Sequence, residues 1–223
     1  SRFFAGSAFS VGLILVVISG AELFTGNCLM ITGVLARQIT WRAMLRNWTI
    51  VYFANFAGAL LMVGIMYYSG LWSYAGMVEI GGVAVRAASR RLAQTFVEAL
   101  MRGILCNWLV CLAVWMAMGA RDIAGKILAI YVPIMAFVTS AFEHSVANMY
   151  LVPIGIALKA DPAVVNAAVT IEKVPPENIA ALTWPLFITR NLIPVTIGNI
   201  IGGALMVGAA YWFVYLRPQT TSR

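Results

Sequence analysis

Three ionisable side chains stand out because they lie inside long apolar stretches of the sequence. They are Glu22, Glu143 and His144, and His144 is the only histidine of the 223 residues. Ionisable groups in such surroundings are costly and usually functional. A histidine there could donate a proton to a solute; alternatively, its ring is structural and donates to a backbone carbonyl. For the two glutamates we expect a structural role, in which each accepts hydrogen bonds from unwound backbone N–H groups.

The composition predicts an all-helical integral membrane protein. Hydrophobic residues make up 62% of the chain and charged residues 10%, against about 25% charged residues in soluble domains. In lipid every backbone polar group must be satisfied internally, which favours helices. The net charge of +7 is spread singly between apolar runs. This distribution indicates anionic headgroups or an anionic solute rather than nucleic acid.

Charge-free runs mark the predicted spans. Residues 3–36 and 127–158 are each too long for one span of about 20 residues, and glutamates interrupt both near the middle. We therefore predict two broken helices. We interpret the remaining charge-rich segments as short connections. Three ordinary spans are predicted at residues 47–69, 93–119 and 186–216.

The two halves of the sequence repeat each other. Ser19, Glu22 and Asn27 recur 121 residues later, as Ser140, Glu143 and Asn148. A second set recurs 144 residues later and comprises Asn47, Asn55, Gly58 and residues 61–64. Such repeats build many transport folds, whose solute sites lie where broken helices meet. We predict that the repeated glutamates and asparagines (Glu22, Glu143, Asn27 and Asn148) stabilise the two breaks.

The repeat also predicts the domain organisation. We expect a single transmembrane channel domain over residues 1–223, with half-repeats at 1–78 and 92–217. The second half has a span before its broken helix, and the first half has none. The first helix of the fold is therefore expected to be absent from this chain. With that helix, each half has three spans, an odd number, so the two halves are predicted to be inverted.

Several polar side chains leave two interpretations open. Asn55 and Asn199 occupy equivalent positions, where they either bond across helices or line a pore. Lys126 precedes the second broken helix, where it either extends to the headgroups or attracts anions. The cysteines are predicted to be small buried thiols with no disulfide or metal site; they are Cys28, Cys106 and Cys111.

Four motifs follow one another along the chain: Gly20–Thr25, Asn107–Met116, Ala141–Met149 and Ile193–Gly203. In this order they resemble the formate/nitrite transporter family, and the resemblance covers essentially the whole chain. Residues 175–178 and 191–217 look most like the bacterial formate channels, whereas 106–111 looks as much like a nitrite channel.

The resemblance implies an aquaporin-like fold of inverted three-helix repeats and a homopentamer with one pore per protomer. The expected location is the bacterial inner membrane, with no cofactor and no nucleic acid. By resemblance, His144 is the central histidine of the pore and Thr25 is its partner. Lys126 matches a lysine that attracts anions, and Asn199 matches a pore-lining amide. The apolar constrictions correspond to Phe9, Leu13, Leu23 and Phe137.

The sequence thus predicts a channel for small monovalent anions of weak acids, with formate ranked before nitrite and hydrosulfide. In this hypothesis His144 protonates the anion, because a bare charge crosses an apolar constriction only at high cost. An aquaporin-like pore for neutral solutes is an alternative, although the sequence lacks the Asn-Pro-Ala triplets of such pores. A membrane subunit of a redox complex is another, although one histidine cannot supply a bis-histidine haem. No catalytic constellation indicates an enzyme.

Overall fold

The computed structural model describes residues 2–73 and 77–217, and these residues form helices without any β-strand. Ten helices precede the final span: α1 (Arg2–Ser19), α2 (Phe24–Asn27), α3 (Met30–Leu35), α4 (Trp41–Tyr68), α5 (Val78–Leu92), α6 (Phe96–Gly119), α7 (Ile123–Thr139), α8 (Ser145–Leu158), α9 (Pro162–Thr170) and α10 (Pro176–Ala180). A short 3-10 turn, Leu71–Ser73, follows α4.

The final span, Trp184–Leu216, alternates between α- and π-helical turns. The π-helical turns accommodate extra residues within one continuous rod, and they often occur at functional positions. Their bounds are Phe187–Leu192, Ile201–Ala209 and Trp212–Leu216, and the α-helical parts are α11 (Trp184–Leu186) and α12 (Ile193–Ile200).

Three helices in the described part of the chain are long and apolar enough to cross a membrane: α4, α6 and the final span. These are the three ordinary spans predicted from the sequence. Two bent pairs raise the number to as many as five: α1 with α2 and α3, bent by 61°, and α8 with α9, bent by 108°. Helix α4 begins six residues before the predicted start at residue 47. Its first turns include arginines, whose long stems can reach the headgroup region.

The prediction of short charged connections was wrong for the segment after α4. Residues Val78–Leu92 form α5, a helix of 15 residues. Its buried residues recur three or four positions apart, as expected for one face of an amphipathic helix. Charges on the other face hid this helix from an interpretation based on charge-free runs. The buried face consists of Gly81, Gly82, Val85, Ala88, Ser89 and Leu92.

Contacts between Cα atoms divide the chain into two compact units, each drawing on both halves of the sequence. Unit 1 takes the described residues of Ser1–Tyr52, Arg102–Glu143 and Ile197–Arg223, and unit 2 takes Phe53–Met101 and His144–Thr196. In unit 1, α1 packs along α7, and α3 packs against the π-helical turns of the final span. In unit 2, α5 packs against α8 and α9. The single channel domain and the inverted halves stay predictions.

Candidate functional site

The first helix break lies between α1 and α2. Gly20 has a left-handed backbone (φ 72°), and the Ala21 N–H donates to the Val16 carbonyl at 2.9 Å. This is the Schellman pattern that ends many helices, and it favours glycine at the left-handed position. Leu23 is then extended (φ −123°, ψ 122°) and stands at the N-cap of α2. The local sequence thus ends one helix and starts the next within four residues.

A cluster of amides and a carboxylate surrounds this first break. Asn27 Nδ2 donates to Glu22 Oε2 and, at 2.7 Å, to Asn47 Oδ1. Asn47 Nδ2 also points to Glu22 Oε2, at 3.4 Å. The Trp48 indole N–H donates to the Asn27 carbonyl at 2.9 Å. Glu22 therefore accepts from side-chain amides, which the sequence did not predict, and the cluster ties the break to α4. The predicted backbone N–H donors to Glu22 stay a prediction.

The second break, between α7 and α8, has the same backbone pattern. Ala141, 121 residues after Gly20, is also left-handed (φ 56°). The Phe142 N–H donates to the Phe137 carbonyl at 3.1 Å, which completes a second Schellman pattern. The Glu143 N–H donates to the Arg102 carbonyl at 3.3 Å. The repeat seen in the sequence therefore extends to the backbone conformation of both breaks.

His144 is the N-cap residue of α8. Its ring is buried, and Nδ1 accepts a hydrogen bond from the Ala147 N–H at 3.0 Å. Because Nδ1 acts as an acceptor, the neutral ring carries its proton on Nε2. A proton on Nδ1 would set two N–H groups against each other, so the charged ring must give up this cap. Nδ1 of His144 thus accepts the cap bond, and whether its Nε2–H serves a backbone carbonyl or a solute stays a prediction.

A buried amide pair lies in the first turn of α8. Asn148 Nδ2 donates to Asn191 Oδ1 at 2.8 Å, which repeats the bond between Asn27 and Asn47. Here a cation completes the cluster, since Arg91 Nε donates to Asn148 Oδ1 at 2.8 Å. The sequence reading missed Arg91, which it placed in a connection. The helical period of α5 was the available signal, because Arg91 lies one turn after Ala88, a buried residue.

Asn199 connects three segments of unit 1. Its side chain is fully buried, and Nδ2 donates to the carbonyls of Gly103 (2.8 Å) and Glu143 (3.0 Å). Asn107 Nδ2 donates in turn to the Asn199 carbonyl (2.7 Å) and the Thr25 carbonyl (3.1 Å). Both amide hydrogens of Asn199 are therefore used within the protein. Asn107 lay in a motif that the sequence singled out, but its bonding role was not predicted.

This close bonding depends on small residues in the final span. At Gly202, an added Cβ would collide with the backbone carbonyl of Ile104. Helix α6 and the final span can approach closely only because position 202 has no side chain, and small residues allow the same close approach between other helix pairs in membranes.

The four predicted constriction residues lie together in unit 1. Leu13 and Phe137 belong to one buried apolar cluster, and Leu23 packs against it. The ring of Phe9 meets the ring of Phe137 edge-on, with centroids 5.6 Å apart. Lys126 lies half-buried in the first turn of α7. Constriction by the four and attraction of anions by Lys126 stay predictions, as does the pairing of His144 with Thr25.

The chain matches the family profile described as "Formate/nitrite transporter" over residues 1–213. The chain belongs to the formate/nitrite transporter family. Among relatives in this family, it is 44% identical over 221 residues to the formate channel FocA of Escherichia coli (strain K12), which covers 98% of this chain and 76% of that protein. It is 40% identical over 225 residues to a probable formate transporter of Methanothermobacter thermautotrophicus, over 95% of this chain and 74% of that protein.

Solved structures of the formate/nitrite transporter family have the same fold. One, described as a pentameric formate channel with formate bound, superposes with a TM-score of 0.81 at 40% identity. The superposition covers 97% of this chain and 84% of the chain in that structure. Another, described as an FNT family ion channel, gives a TM-score of 0.74 at 29% identity, over 96% of this chain and 77% of that one. The predicted family is thereby confirmed, and the chain is a multi-pass membrane protein of channel fold.

No group of three or more metal-ligating side chains occurs within residues 2–73 and 77–217. Cys28, Cys106 and Cys111 are free and buried. The polar groups of the site are amides, one imidazole, carboxylates and a guanidinium, which form hydrogen bonds to one another and to backbone groups.

Proposed function

We propose that this protein is a channel for small monovalent anions of weak acids, with formate as its substrate. The observation that carries the proposal is the 44% identity to a formate channel over 98% of the chain. We propose further that it works as a homopentamer in the bacterial inner membrane and carries out no catalysis. The related pentameric channel with bound formate supports the assembly and the substrate.

His144 is the residue proposed to act on the anion. Its Nδ1 is occupied by the Ala147 N–H, so Nε2–H is the group that donates to a carboxylate oxygen. Transfer of a whole proton requires the ring to be charged first, and the charged ring loses its bond to Ala147. Proton transfer is therefore coupled to release of the N-terminal cap of α8. The neutral acid then passes apolar side chains that a bare anion crosses only at high cost.

The remaining residues have supporting roles in this proposal. Lys126 raises the local concentration of anions by electrostatic attraction. Phe9, Leu13, Leu23 and Phe137 exclude water and bare ions from the path. Thr25 is the proposed partner of His144. Asn199 positions the Glu143 carbonyl, immediately before His144 in the chain, rather than donating to the anion, since Gly103 and Glu143 take up its amide hydrogens.

Uptake by reconstituted liposomes tests the substrate. Purified protein in liposomes should take up labelled formate, and unlabelled formate should compete better than nitrite or hydrosulfide. The measurement is repeated between about pH 5 and pH 8, where histidine changes charge. Transport of nitrite or hydrosulfide without transport of formate would show the substrate to be wrong. Osmotic swelling by glycerol without anion flux would contradict an anion channel altogether.

A pair of His144 variants tests the proton step. Asn is among the best N-cap residues, so His144→Asn keeps an acceptor for the Ala147 N–H but carries no exchangeable charge. We expect a folded protein whose formate uptake falls by about tenfold or more and no longer responds to pH, since a hydrogen bond to a charged group contributes about 1.5–3 kcal/mol. His144→Ala removes the cap as well and should also lower thermal stability. Unchanged pH-dependent uptake by His144→Asn would show that His144 does not supply the proton.

A further inference from the structure

A cavity of about 610 Å³ lies in unit 1, away from both helix breaks. Two apolar segments end at its rim, since α3 ends at Leu35 and the final span ends at Leu216. The ends of apolar spans lie at the depth of lipid headgroups. The cavity is lined by Leu35, Ala36, Arg37, Gln38, Trp212 and Leu216. It therefore combines apolar walls with a cation, an amide and an indole.

One residue that lines this cavity carries a donor with no acceptor within the described residues. The indole nitrogen of Trp212 is buried and makes no hydrogen bond. Buried N–H groups are almost always paired, so an unpaired one calls for an explanation. Arg37 is exposed and makes no salt bridge with any residue in the described ranges. An external acceptor with negative charge would pair with Arg37, and a movement of the cavity wall would bring the enclosed indole N–H of Trp212 within its reach.

The backbone at Arg37 provides an independent observation. Arg37 has a left-handed conformation (φ 59°) and ends α3 in a Schellman pattern. Its N–H donates to the Val34 carbonyl at 3.0 Å, and the Gln38 N–H donates to the Gly33 carbonyl at 2.8 Å. Glycine is the usual residue at this position. A strained arginine there places a guanidinium at the rim, and such strain is typical of functional positions.

We propose that this cavity binds the phosphodiester headgroup of an anionic phospholipid. The guanidinium of Arg37 pairs with two phosphate oxygens, which is the geometry that arginine provides best. The indole N–H of Trp212 donates to the headgroup, and the Gln38 amide donates to its glycerol oxygens. Leu35 and Leu216 contact the upper part of an acyl chain. Indole and guanidinium groups at span ends are common anchors to the membrane interface.

Native mass spectrometry of the purified oligomer tests the proposal. The probes are phosphatidylglycerol, phosphatidylcholine and inorganic phosphate. Arg37→Gly removes the guanidinium and keeps the left-handed turn, and Arg121→Gln removes an exposed arginine elsewhere in unit 1 as the matched control. We expect Arg37→Gly to weaken binding of phosphatidylglycerol by about tenfold, the order of a charge-assisted hydrogen bond. Trp212→Phe should weaken it several-fold, and Arg121→Gln should not change it.

Thermal unfolding in lipid-free detergent separates binding from folding. Glycine relieves the strain at position 37, so Arg37→Gly should unfold at the same temperature as the parent or higher, and only its stabilisation by phosphatidylglycerol should be lost. Equal binding of phosphatidylglycerol by Arg37→Gly and the parent would overturn the proposal. Binding of phosphatidylcholine by the parent as tightly as phosphatidylglycerol would also overturn it, because it would indicate an apolar groove that does not select the anionic headgroup. Displacement of the lipid by inorganic phosphate at equal concentration would indicate a free-anion site and would also overturn it.

Discussion

Gly20 and Ala141 stand at equivalent positions of the two helix breaks, and both have left-handed backbone (φ 72° and 56°). Each closes its helix with a Schellman pattern, and each is followed two residues later by a glutamate. An extended residue then caps the next helix. The two breaks therefore have the same backbone conformation, although their side chains differ.

The side chains of the two breaks differ at the N-cap position and in the charged group that joins each amide pair. The N-cap of the first break is Leu23, which makes no side-chain cap bond, whereas His144 at the second accepts from a backbone N–H. Both breaks have an amide pair, with bonds of 2.7 and 2.8 Å. A carboxylate, Glu22, joins the first pair, and a guanidinium, Arg91, joins the second. The two breaks therefore share a backbone frame, and the second has a histidine at the position where the first has a leucine.

The largest effect is expected from Asn199, which supports the second break. Asn199→Leu leaves the buried carbonyls of Gly103 and Glu143 without their donor, so the free energy of unfolding should fall by about 2–4 kcal/mol. The measurement is equilibrium unfolding in mixed micelles. Asn166→Leu, on the exposed side of α9, is the control. A loss no larger than that of the control would show that Asn199 does not support the break.

The next prediction compares how much the two amide clusters contribute to the free energy of unfolding. Asn148→Ala removes a buried amide and its bond to a charged donor, so it should cost about 2–3 kcal/mol. Asn27→Ala acts in a more exposed cluster and should cost about 1 kcal/mol. Equilibrium unfolding of both variants measures the difference. Equal losses would mean that Arg91 adds nothing to the second cluster and that the two breaks are stabilised alike.

Gly20→Ala tests the left-handed position of the first break. A left-handed alanine costs about 1–2 kcal/mol, and reduced freedom of the unfolded chain returns about 0.4–1 kcal/mol. The net expectation is a loss of about 0.5–1 kcal/mol, measured by the same unfolding assay. An increase in the free energy of unfolding would show that residue 20 does not have a left-handed backbone in the folded protein.

Ala141→Gly is the reciprocal test, and its effect should be the smallest. Relief of the left-handed strain exceeds the added freedom of the unfolded chain, so the variant should gain about 0.5 kcal/mol. Formate uptake by the variant, measured alongside, tells whether the strain serves transport. A loss of stability would show that the methyl group of Ala141 makes contacts that outweigh its strain.

Much of the frame could be predicted from local sequence. The apolar runs predicted the three long spans, and the repeated Ser, Glu and Asn spacing predicted where both helices break. Helix α5 was missed because its arginines interrupt the apolar pattern, although its buried face keeps a helical period. The amide donors to Glu22 were also missed, since nothing local indicates that Asn47 folds back to a carboxylate 25 residues earlier.

By itself, the sequence determined the membrane setting, the repeat and the family, because these depend on composition and on spacing within a few turns. Only the tertiary structure decided which polar groups meet. Arg91 reaches Asn148 across 57 residues, and Asn199 reaches Gly103 across 96. Such pairs depend on how helices dock, and docking at Gly202 depends on a missing side chain next to a carbonyl. The acceptor role of His144 Nδ1 likewise follows from the turn that begins α8, since backbone geometry places an N–H within reach of the ring.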